Sequence, residues 1–321
     1  MTQGSVRLMT WNIRYDSQPD NVTVQETVGS LPDPLTEPVS FLNLTGEQPW
    51  STRRIRVYQR IIGEDVDMIG FQEALERQYD DMHELLGDNW GCVGVGRDDG
   101  AVSGEFSPIY WKKSIFTLLS NDTFWLSETP FDAGSKYTNA GSVRIATAAH
   151  FLLNASGKRF TYINTHLDDQ SDKQRQYGAS LILWRARSEA SRGSTVIVSG
   201  DFNSPTVGNE AGAYRIITGQ ISPLAVNQTF QEAYAVHGRG VVDFKMLDLR
   251  TQLPSISVAG NWATYTGFNG PEDTREYSQI DFIFGGNNGG WNPILHKIET
   301  QLTDDGVLAS DHRPVIADLQ I

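Results

Sequence analysis

Cysteine is nearly absent from this chain of 321 residues, in which Cys92 stands alone. A single cysteine excludes an internal disulfide framework and a cluster of thiolate metal ligands. Its apolar neighbours, in the stretch GCVGVG, favour an inert buried thiol over a catalytic one. The sequence also lacks an HExxH motif, so both observations argue against zinc chemistry.

Long apolar runs are absent too. No stretch of about 18 apolar residues occurs, so we expect no membrane span. The segment SFLNL at 40–44 is too short to form a docking hairpin for lipid. The N-terminus has neither the charged nor the apolar region of a signal peptide, and we expect an intracellular protein. A secreted protein whose signal peptide was removed is the alternative, which five Asn-x-Ser/Thr sequons leave open: Asn21, Asn43, Asn121, Asn154 and Asn227.

Positive charge is scarce relative to negative charge. Lys and Arg total 26 against 39 Asp and Glu, which gives a formal net charge of −13 and a pI near 4.9. Such a surface repels polyphosphates, so tight sequence-independent binding of nucleic acid is disfavoured. An acidic chain is compatible with recruitment of a divalent cation. No long basic stripe occurs, and the arginines of one predicted helix are interpreted as its solvated face: Arg53, Arg54, Arg56 and Arg60.

Runs of β-type residues alternate with stretches of helical periodicity, and hydrophobic residues make up 39% of the chain. This alternation predicts an α/β protein whose strands are covered by helices. No repeat or low-complexity tract divides the chain, so we expect a single domain over residues 1–321. The predicted strands span 6–11, 68–71, 92–95, 108–111, 116–119, 145–153, 160–164, 195–198, 278–284, 294–298 and 315–319, and the predicted helices span 52–64, 75–86 and 172–190.

Two other segments have a loop-like composition. The polar segment 16–51 contains four prolines and far exceeds the usual length of a connection, so it is predicted to be a functional or mobile surface loop. The Gly/Asn-rich segment 285–290 is predicted to be a turn.

Polar side chains stand at the ends of several predicted strands. Taken singly, each has an ordinary structural explanation, such as a turn, a helix cap or a buried histidine. Together they form a set that a simple fold would not require, and nearly all of them offer oxygen or imidazole ligands. Oxygen ligands suit Mg²⁺ or Mn²⁺. The set comprises Asn12, Glu73, His166, Asp201, Asn203, Asp281, Asp311 and His312.

These residues lie in six motifs, which occur in the order TWNIR, FQE, NTHLD, GDFN, QIDFIF and SDHRP. The ordered set resembles the endonuclease/exonuclease/phosphatase superfamily, which includes DNase I, and GDFN and SDHRP carry the most specific likeness. The stretches GRDDG, GEFSPIYWKK and TFWLSETP look like an uncharacterised fungal and bacterial branch. The resemblance implies a DNase I-like α/β fold, a four-layer α/β/β/α sandwich with two packed mixed β-sheets.

The resemblance also implies a metal site and a catalytic base. Glu73 would be the main ligand of a Mg²⁺ or Mn²⁺ ion, with Asn12 beside it and Asp311 contributing directly or through water. The ion would polarise a phosphoryl oxygen and stabilise charge on the leaving oxygen. Asp201 would orient and deprotonate the attacking water, and Asn203 would hold the phosphate or that water.

Two histidines would contact the phosphate from opposite sides. His312 would donate a hydrogen bond to a nonbridging oxygen, with Asp281 fixing its tautomer and raising its pKa. His166 would act in the same way, with Glu105 as its orienting carboxylate, because EFSPIYWK resembles the strand that supplies such a glutamate in DNase I.

Two arginines are candidates for substrate binding. At the position of Arg14, abasic-site endonucleases tend to carry a second acidic residue, whereas this chain has an arginine, as in the DNase I-like NIR. Arg14 would contact the phosphate, and an equal alternative is that it forms a structural ion pair. Arg144, in SVRIAT, is the second candidate, with an ordinary surface arginine as its alternative.

These expectations combine into a metal-dependent phosphoesterase that hydrolyses a phosphodiester or a phosphomonoester by in-line attack of water. The acidic charge favours a small phosphorylated substrate, such as a nucleotide, a sugar phosphate or a phosphoinositide headgroup. A nuclease acting on DNA or RNA is the alternative within the same enzyme class. A catalytically inactive scaffold with the same fold is the alternative from another class, and it would predict an eroded site.

Overall fold

The computed structural model describes residues 5–33, 46–238, 240–300, 303 and 306–321. Strands and helices alternate along these ranges. The strands are β1 (Ser5–Asn12), β2 (Met68–Gln72), β3 (Trp90–Val93), β4 (Ile109–Lys112), β5 (Phe116–Trp125), β6 (Ile145–Leu153), β7 (Lys158–His166), β8 (Thr195–Asp201), β9 (Met246–Asp248), β10 (Val258–Gly260), β11 (Asp281–Gly286), β12 (Asn292–Ile298) and β13 (Val315–Gln320). The α-helices are α1 (Val24–Gly29), α2 (Trp50–Gly63), α3 (Glu76–Leu86), α4 (Asp172–Ser191), α5 (Gly212–Ile217) and α6 (Gln228–Ala233), and two 3₁₀ turns span Leu249–Gln252 and Ser255–Ser257.

The strands form two mixed β-sheets. One sheet has the strand order β10-β12-β13-β1-β2-β4-β3, and the other has the order β5-β6-β7-β8-β11-β9. In the first sheet β1 runs parallel to β2 and antiparallel to β13. In the second, β8 runs parallel to β7 and antiparallel to β11. Each sheet therefore has a parallel pair of strands near its centre.

Apolar side chains fill the space between the two sheets and the space on either side of them. The inner cluster includes Leu8, Phe151 and Ile197, none of which has exposed surface. Helices α2 and α3 cover the outer face of the first sheet, and α4, α5 and α6 cover the outer face of the second. The four-layer α/β/β/α sandwich expected from the sequence is confirmed.

The secondary structure departs from the sequence-based prediction mainly at element ends and in short elements. The strand predicted at 278–284 begins at Asp281, because Ser278 instead forms an isolated bridge with Tyr265. The expected turn at 285–290 begins later, since its first two glycines extend β11. Within the segment 16–51, α1 forms on a capping box between Thr23 and Glu26, while residues 34–45, which include SFLNL and Asn43, lie outside the described ranges.

The prediction for the arginines of α2 is wrong for two of them. Arg53 and Arg54 have no exposed side-chain surface. Arg54 forms an ion pair with Asp81 at 2.8 Å, and Arg53 donates to backbone carbonyls beneath the site described below. The prediction considered only the charge of these side chains. Within the fold a carboxylate and several carbonyl groups pair with them, so their burial is compensated.

Two smaller expectations have clear outcomes. Cys92 is half-buried, and burial raises the pKa of its thiol, which suits an inert side chain. No helix in the described part of the chain is long and apolar enough to cross a membrane.

Candidate active site

The central parallel strands bring the predicted polar residues to one edge of the sandwich. Asn12 ends β1 beside the end of β2, so Glu73 follows at the same edge. His166 and Asp201 are paired partners at the ends of β7 and β8. Asp281 opens β11 directly opposite Asp201, because these two strands run antiparallel.

The backbone is unusual where it presents these side chains. Glu73 and Asn203 both have left-handed backbone conformations, with φ of 63° and 46°. Such conformations are uncommon for residues with a side chain and are often found at functional sites. Gly200, just before Asp201, has φ of +149°, and a Cβ there would lie 2.0 Å from the carbonyl oxygen of Thr165. Only glycine allows β7 and β8 to approach so closely next to the site.

The Asn12 amide links the acidic groups at the centre of the site. Its Nδ2 donates to Glu73 Oε1 at 2.9 Å and to Asp201 Oδ2 at 3.0 Å. Its Oδ1 accepts from the backbone N–H of Arg14 at 2.9 Å, which fixes the orientation of the amide. Glu73 Oε2 accepts from the backbone N–H of Tyr15 at 3.1 Å. Asn12 is fully buried, and its hydrogen bonds hold the carboxylates of Glu73 and Asp201 in place.

The three predicted metal ligands lie together, with an excess of negative charge. Glu73 and Asp311 line the same cavity, and Asn12 lies directly behind Glu73. Burial and the negative charge of Glu73 raise the pKa of Asp311. Oxygen donors that repel one another in a buried setting fit a hard divalent cation such as Mg²⁺ or Mn²⁺.

His312 is held between two carboxylates. Its Nδ1 lies 2.9 Å from Asp281 Oδ2, and its Nε2 lies 3.6 Å from Asp201 Oδ2. Burial alone would lower the pKa of His312, but the charges of Asp281 and Asp201 outweigh burial and raise it. Although ligand atoms of these three residues lie within 4.8 Å of one another, a metal ion there would have to replace the His312–Asp281 hydrogen bond. The arrangement is better suited to holding an imidazolium.

His166 contacts groups of both charges. Arg144 Nη1 lies 2.7 Å from its Nδ1, Glu105 Oε2 lies 3.7 Å from the same atom, and Asn203 Nδ2 lies 3.1 Å from its Nε2. Burial alone would raise the pKa of Glu105, but His166, Arg144 and Arg97 outweigh burial and lower it. Glu105 is therefore an ionised group close to His166.

The two candidate substrate-binding arginines differ in how their charge is used. Arg144 is buried, and its guanidinium lies 3.4 Å from Glu105 and 2.9 Å from Asp169. Arg14 also lines the cavity, and its contacts with carboxylates are longer, 3.6 Å to Glu47 and 3.8 Å to Glu73. The Nε atoms of both arginines have no hydrogen-bond partner among the described residues. The charge of Arg14 is therefore the less tightly paired of the two.

These side chains surround a cavity of about 450 Å³. Asn12 and Asp281 are the predicted site residues that do not line it, and both contact residues that do. A larger cavity of about 740 Å³ lies beside α4, but it has a single carboxylate, Asp243, and no histidine among its lining residues. The sequence-based prediction assigns no role to four residues that line the active-site cavity: Tyr15, Ser142, Asp169 and Ile280.

A signal for one of these missed residues was present, because Asp169 follows the NTHLD motif directly. Tyr265, which also lines the cavity, lies in an aromatic segment whose rings could stack on a base or a sugar. The Tyr265 ring lies 4.9 Å from that of His312. Ser142, by contrast, enters the site through a loop contact that no local pattern indicates.

The sequence of residues 9–312, nearly the whole chain, matches the family model of the endonuclease/exonuclease/phosphatase family. The chain belongs to this family. A family protein from Bacteroides vulgatus has 30% sequence identity and a TM-score of 0.74, with 99% of each chain covered. None of the curated proteins matches this chain significantly.

More distant solved structures share the fold of this family member. The mannosyl-6-phosphatase of Bacteroides thetaiotaomicron has 24% identity and a TM-score of 0.68, and the match covers 98% of this chain and 100% of the other. The catalytic domain of human Nocturnin has 14% identity and a TM-score of 0.63, with 99% and 95% covered. Members of the endonuclease/exonuclease/phosphatase family are hydrolases that act on phosphoester bonds.

Proposed function

We propose that this family member is a single-domain, divalent-metal-dependent phosphoesterase that hydrolyses a small phosphorylated substrate by in-line attack of water. The observation that carries the proposal is the position of Asp201. Its carboxylate lies 3.5 Å from His166 and 3.6 Å from His312, at the floor of the cavity. A carboxylate between two imidazoles can take a proton from water while the imidazoles bind the phosphate.

Each side chain of the site has a distinct task in this proposal. Asp201 Oδ1 accepts from the backbone N–H of Asn203 at 2.8 Å, and Oδ2, which accepts from Asn12 Nδ2 at 3.0 Å, would take the proton of the attacking water. His312, kept charged by Asp281, donates to a nonbridging phosphate oxygen. His166 and the Asn203 amide bind the phosphate from the opposite side.

The residues present fit a divalent ion. Glu73 and Asp311 would hold Mg²⁺ or Mn²⁺, because their like charges favour a bound cation, and Asn12, whose amide oxygen accepts from the Arg14 N–H, would position Glu73 beside it. When bound, the ion supplies Lewis-acid stabilisation of the charge that develops on the phosphoryl and leaving oxygens.

A small substrate is favoured over a polymer by charge and by comparison. The net charge of −13 opposes the approach of a long polyphosphate. Among proteins of the same fold, the Bacteroides thetaiotaomicron mannosyl-6-phosphatase is named for a small phosphate ester. A nuclease is the second candidate, since zebrafish TDP2, with 15% identity and a TM-score of 0.59, was solved with a single-strand DNA product. An inactive scaffold is disfavoured because the sequence retains every residue that the proposed chemistry needs.

The test is hydrolysis of p-nitrophenyl phosphate and bis(p-nitrophenyl) phosphate with Mg²⁺, Mn²⁺ or EDTA. We expect metal-dependent turnover that falls by about 10²–10⁴-fold in Asp201→Asn, the range associated with loss of a general base. Asp132→Asn, on an exposed loop, is the matched control and should change nothing. Turnover that persists in EDTA, or an Asp201→Asn variant as active as the wild type, would contradict the proposal.

A further inference from the structure

The cavity of about 740 Å³ beside α4 is separate from the active site. None of the described residues that line it also lines the active-site cavity. Lys245, in its lining, directly precedes Met246, which pairs with Gly286 at the end of β11 away from Asp281. The cavity therefore lies toward the opposite end of the second sheet from the catalytic groups. Its volume falls within the range of about 300–1,000 Å³ that is typical of ligand pockets.

Part of the cavity lining is apolar. Leu183, Ile216 and Phe244 belong to the core cluster on the outer face of the second sheet, and Trp184 packs against that cluster. Val242 also lines the cavity, and it keeps 62% of its surface exposed. An apolar ligand would cover these side chains and remove apolar surface from water, which favours binding.

Hydrogen bonds attach the segments around the cavity to α4. Arg187 Nε donates to the carbonyl oxygen of Val241 at 2.8 Å, at the start of one segment. Ser180 Oγ accepts from the backbone N–H of Leu224 at 2.9 Å, in the other. A pocket whose walls are held in this way needs little rearrangement to accept a ligand.

Two cationic side chains line the cavity without a carboxylate partner. Among the described residues, neither Arg187 nor Lys245 has a carboxylate oxygen within 4.0 Å. Arg185, two residues earlier on α4, differs in this respect, because it pairs with Asp122 at 2.6 Å. Asp243 is the single carboxylate in the lining, so the cavity has a net positive charge in a chain of net charge −13. An anionic group is therefore the complementary ligand.

We propose that this cavity is a second ligand site, which binds a small molecule with an apolar body and a single anionic group. The apolar body contacts Leu183, Trp184 and Phe244. The anionic group pairs with Arg187 and Lys245. A polyphosphate fits less well, because the net negative charge of the chain repels it at long range. Binding here is independent of phosphoester hydrolysis, because the two cavities share no described lining residue.

Calorimetric titration of the full chain with two ligands of the same shape tests this assignment. The probes are 2-naphthoate, an aromatic carboxylate, and naphthalene-2-carboxamide, its uncharged analogue. Both are added in the presence of EDTA, which prevents binding through a metal ion at the active site. We expect 2-naphthoate to bind once per chain and about tenfold more tightly than the amide, because cationic donors stabilise its carboxylate.

Two substitutions at one exposed position report where the ligand binds. Val242→Lys adds a cation to the lining and should strengthen the binding of 2-naphthoate, whereas Val242→Glu should weaken it. Binding of the amide should change little in either variant.

A further variant tests one of the two proposed cationic partners. Lys245→Met removes the charge and keeps the length of the side chain, so the preference for 2-naphthoate over the amide should fall about threefold. Lys158→Met, at an exposed position of β7 outside the cavity, is the matched control and should leave the preference unchanged.

Three outcomes would overturn the proposal. Equal affinities for the two probes would mean that the cavity has no preference for an anion. An affinity for 2-naphthoate that is the same in Val242→Lys and Val242→Glu would place the ligand elsewhere on the chain. No binding of either probe would also overturn it, and a dimeric mass in light scattering would then identify a second copy of the chain as the occupant.

Discussion

Arg53 offers the sharpest test of how the site is supported. Its guanidinium is fully buried and donates to the carbonyl oxygens of Ile13 at 2.7 Å, Ala309 at 2.9 Å and Gln48 at 2.8 Å. These carbonyls belong to the loops that carry Asn12, Glu47 and Asp311. Replacing Arg53 by Met keeps most of the volume but leaves several buried carbonyl groups without a donor.

The expected loss follows from those contacts. One hydrogen bond from a charged donor contributes about 1.5–3 kcal/mol, and breaking a buried charged pair by removing one partner costs about 3–5 kcal/mol. Because the contributions of neighbouring hydrogen bonds do not simply add, we expect Arg53→Met to lower the free energy of unfolding by about 3–5 kcal/mol, the range for removing one partner of a buried charged contact. Arg53→Lys keeps the charge but loses the planar fork, so its loss should be smaller.

Urea unfolding monitored by tryptophan fluorescence measures this difference. Gln59→Met, at an exposed position of the same helix, is the matched control and should change stability by less than about 0.5 kcal/mol. A loss below about 1 kcal/mol in Arg53→Met, with an unchanged urea dependence, would refute the reasoning, because it would mean that the carbonyls need no buried donor.

Three further predictions concern pH, backbone and metal. Burial, with the charge of Arg250, lowers the pKa of His296 from 6.5 to about 4, so the unfolded chain takes up the proton first on acidification. The free energy of unfolding should then fall by about 3 kcal/mol from pH 7 to pH 4 through this residue, and His296→Leu should remove that part of the acid dependence in urea titrations at several pH values. Gly200→Ala should lower the free energy of unfolding by more than about 2 kcal/mol in the same assay, because an added Cβ would lie 2.0 Å from the carbonyl oxygen of Thr165. A loss below about 0.5 kcal/mol would contradict this prediction. Mg²⁺ should raise the melting temperature of the wild type and not of Glu73→Gln, and equal shifts in calorimetry would place the ion elsewhere.

The sequence predicts the fold, and it also predicts which polar residues meet at one edge of the sandwich, for a physical reason. Asp201 and His166 stand directly after runs of β-branched and aromatic residues, and strand ends that meet at one sheet edge bring such residues together. The same local logic places Asn12 at the end of β1. Short elements such as α5, with six residues, escape prediction because they are too short to repeat an apolar period.

What the sequence does not predict depends on contacts between distant residues. Arg53 has the charge of an exposed helix position, and its burial is favourable because it donates to carbonyl groups that include those of Ile13 and Ala309, 40 and 256 residues away. Ser142 reaches the cavity because Asp168 binds its backbone N–H. Neither contact changes the local pattern of apolar and polar residues, so the sequence does not indicate it.

The pairing of β1 with β13 has a consequence for biosynthesis. Six successive residue pairs join these strands, from Ser5 with Gln320 to Thr10 with Val315. A ribosome must therefore make β1 long before β13 exists, and until then the nascent chain exposes the hydrophobic edge of β1 that β13 later covers. The motif SDHRP, which supplies Asp311 and His312, directly precedes β13 in the chain. The same stretch of chain therefore closes this sheet edge and completes the candidate site.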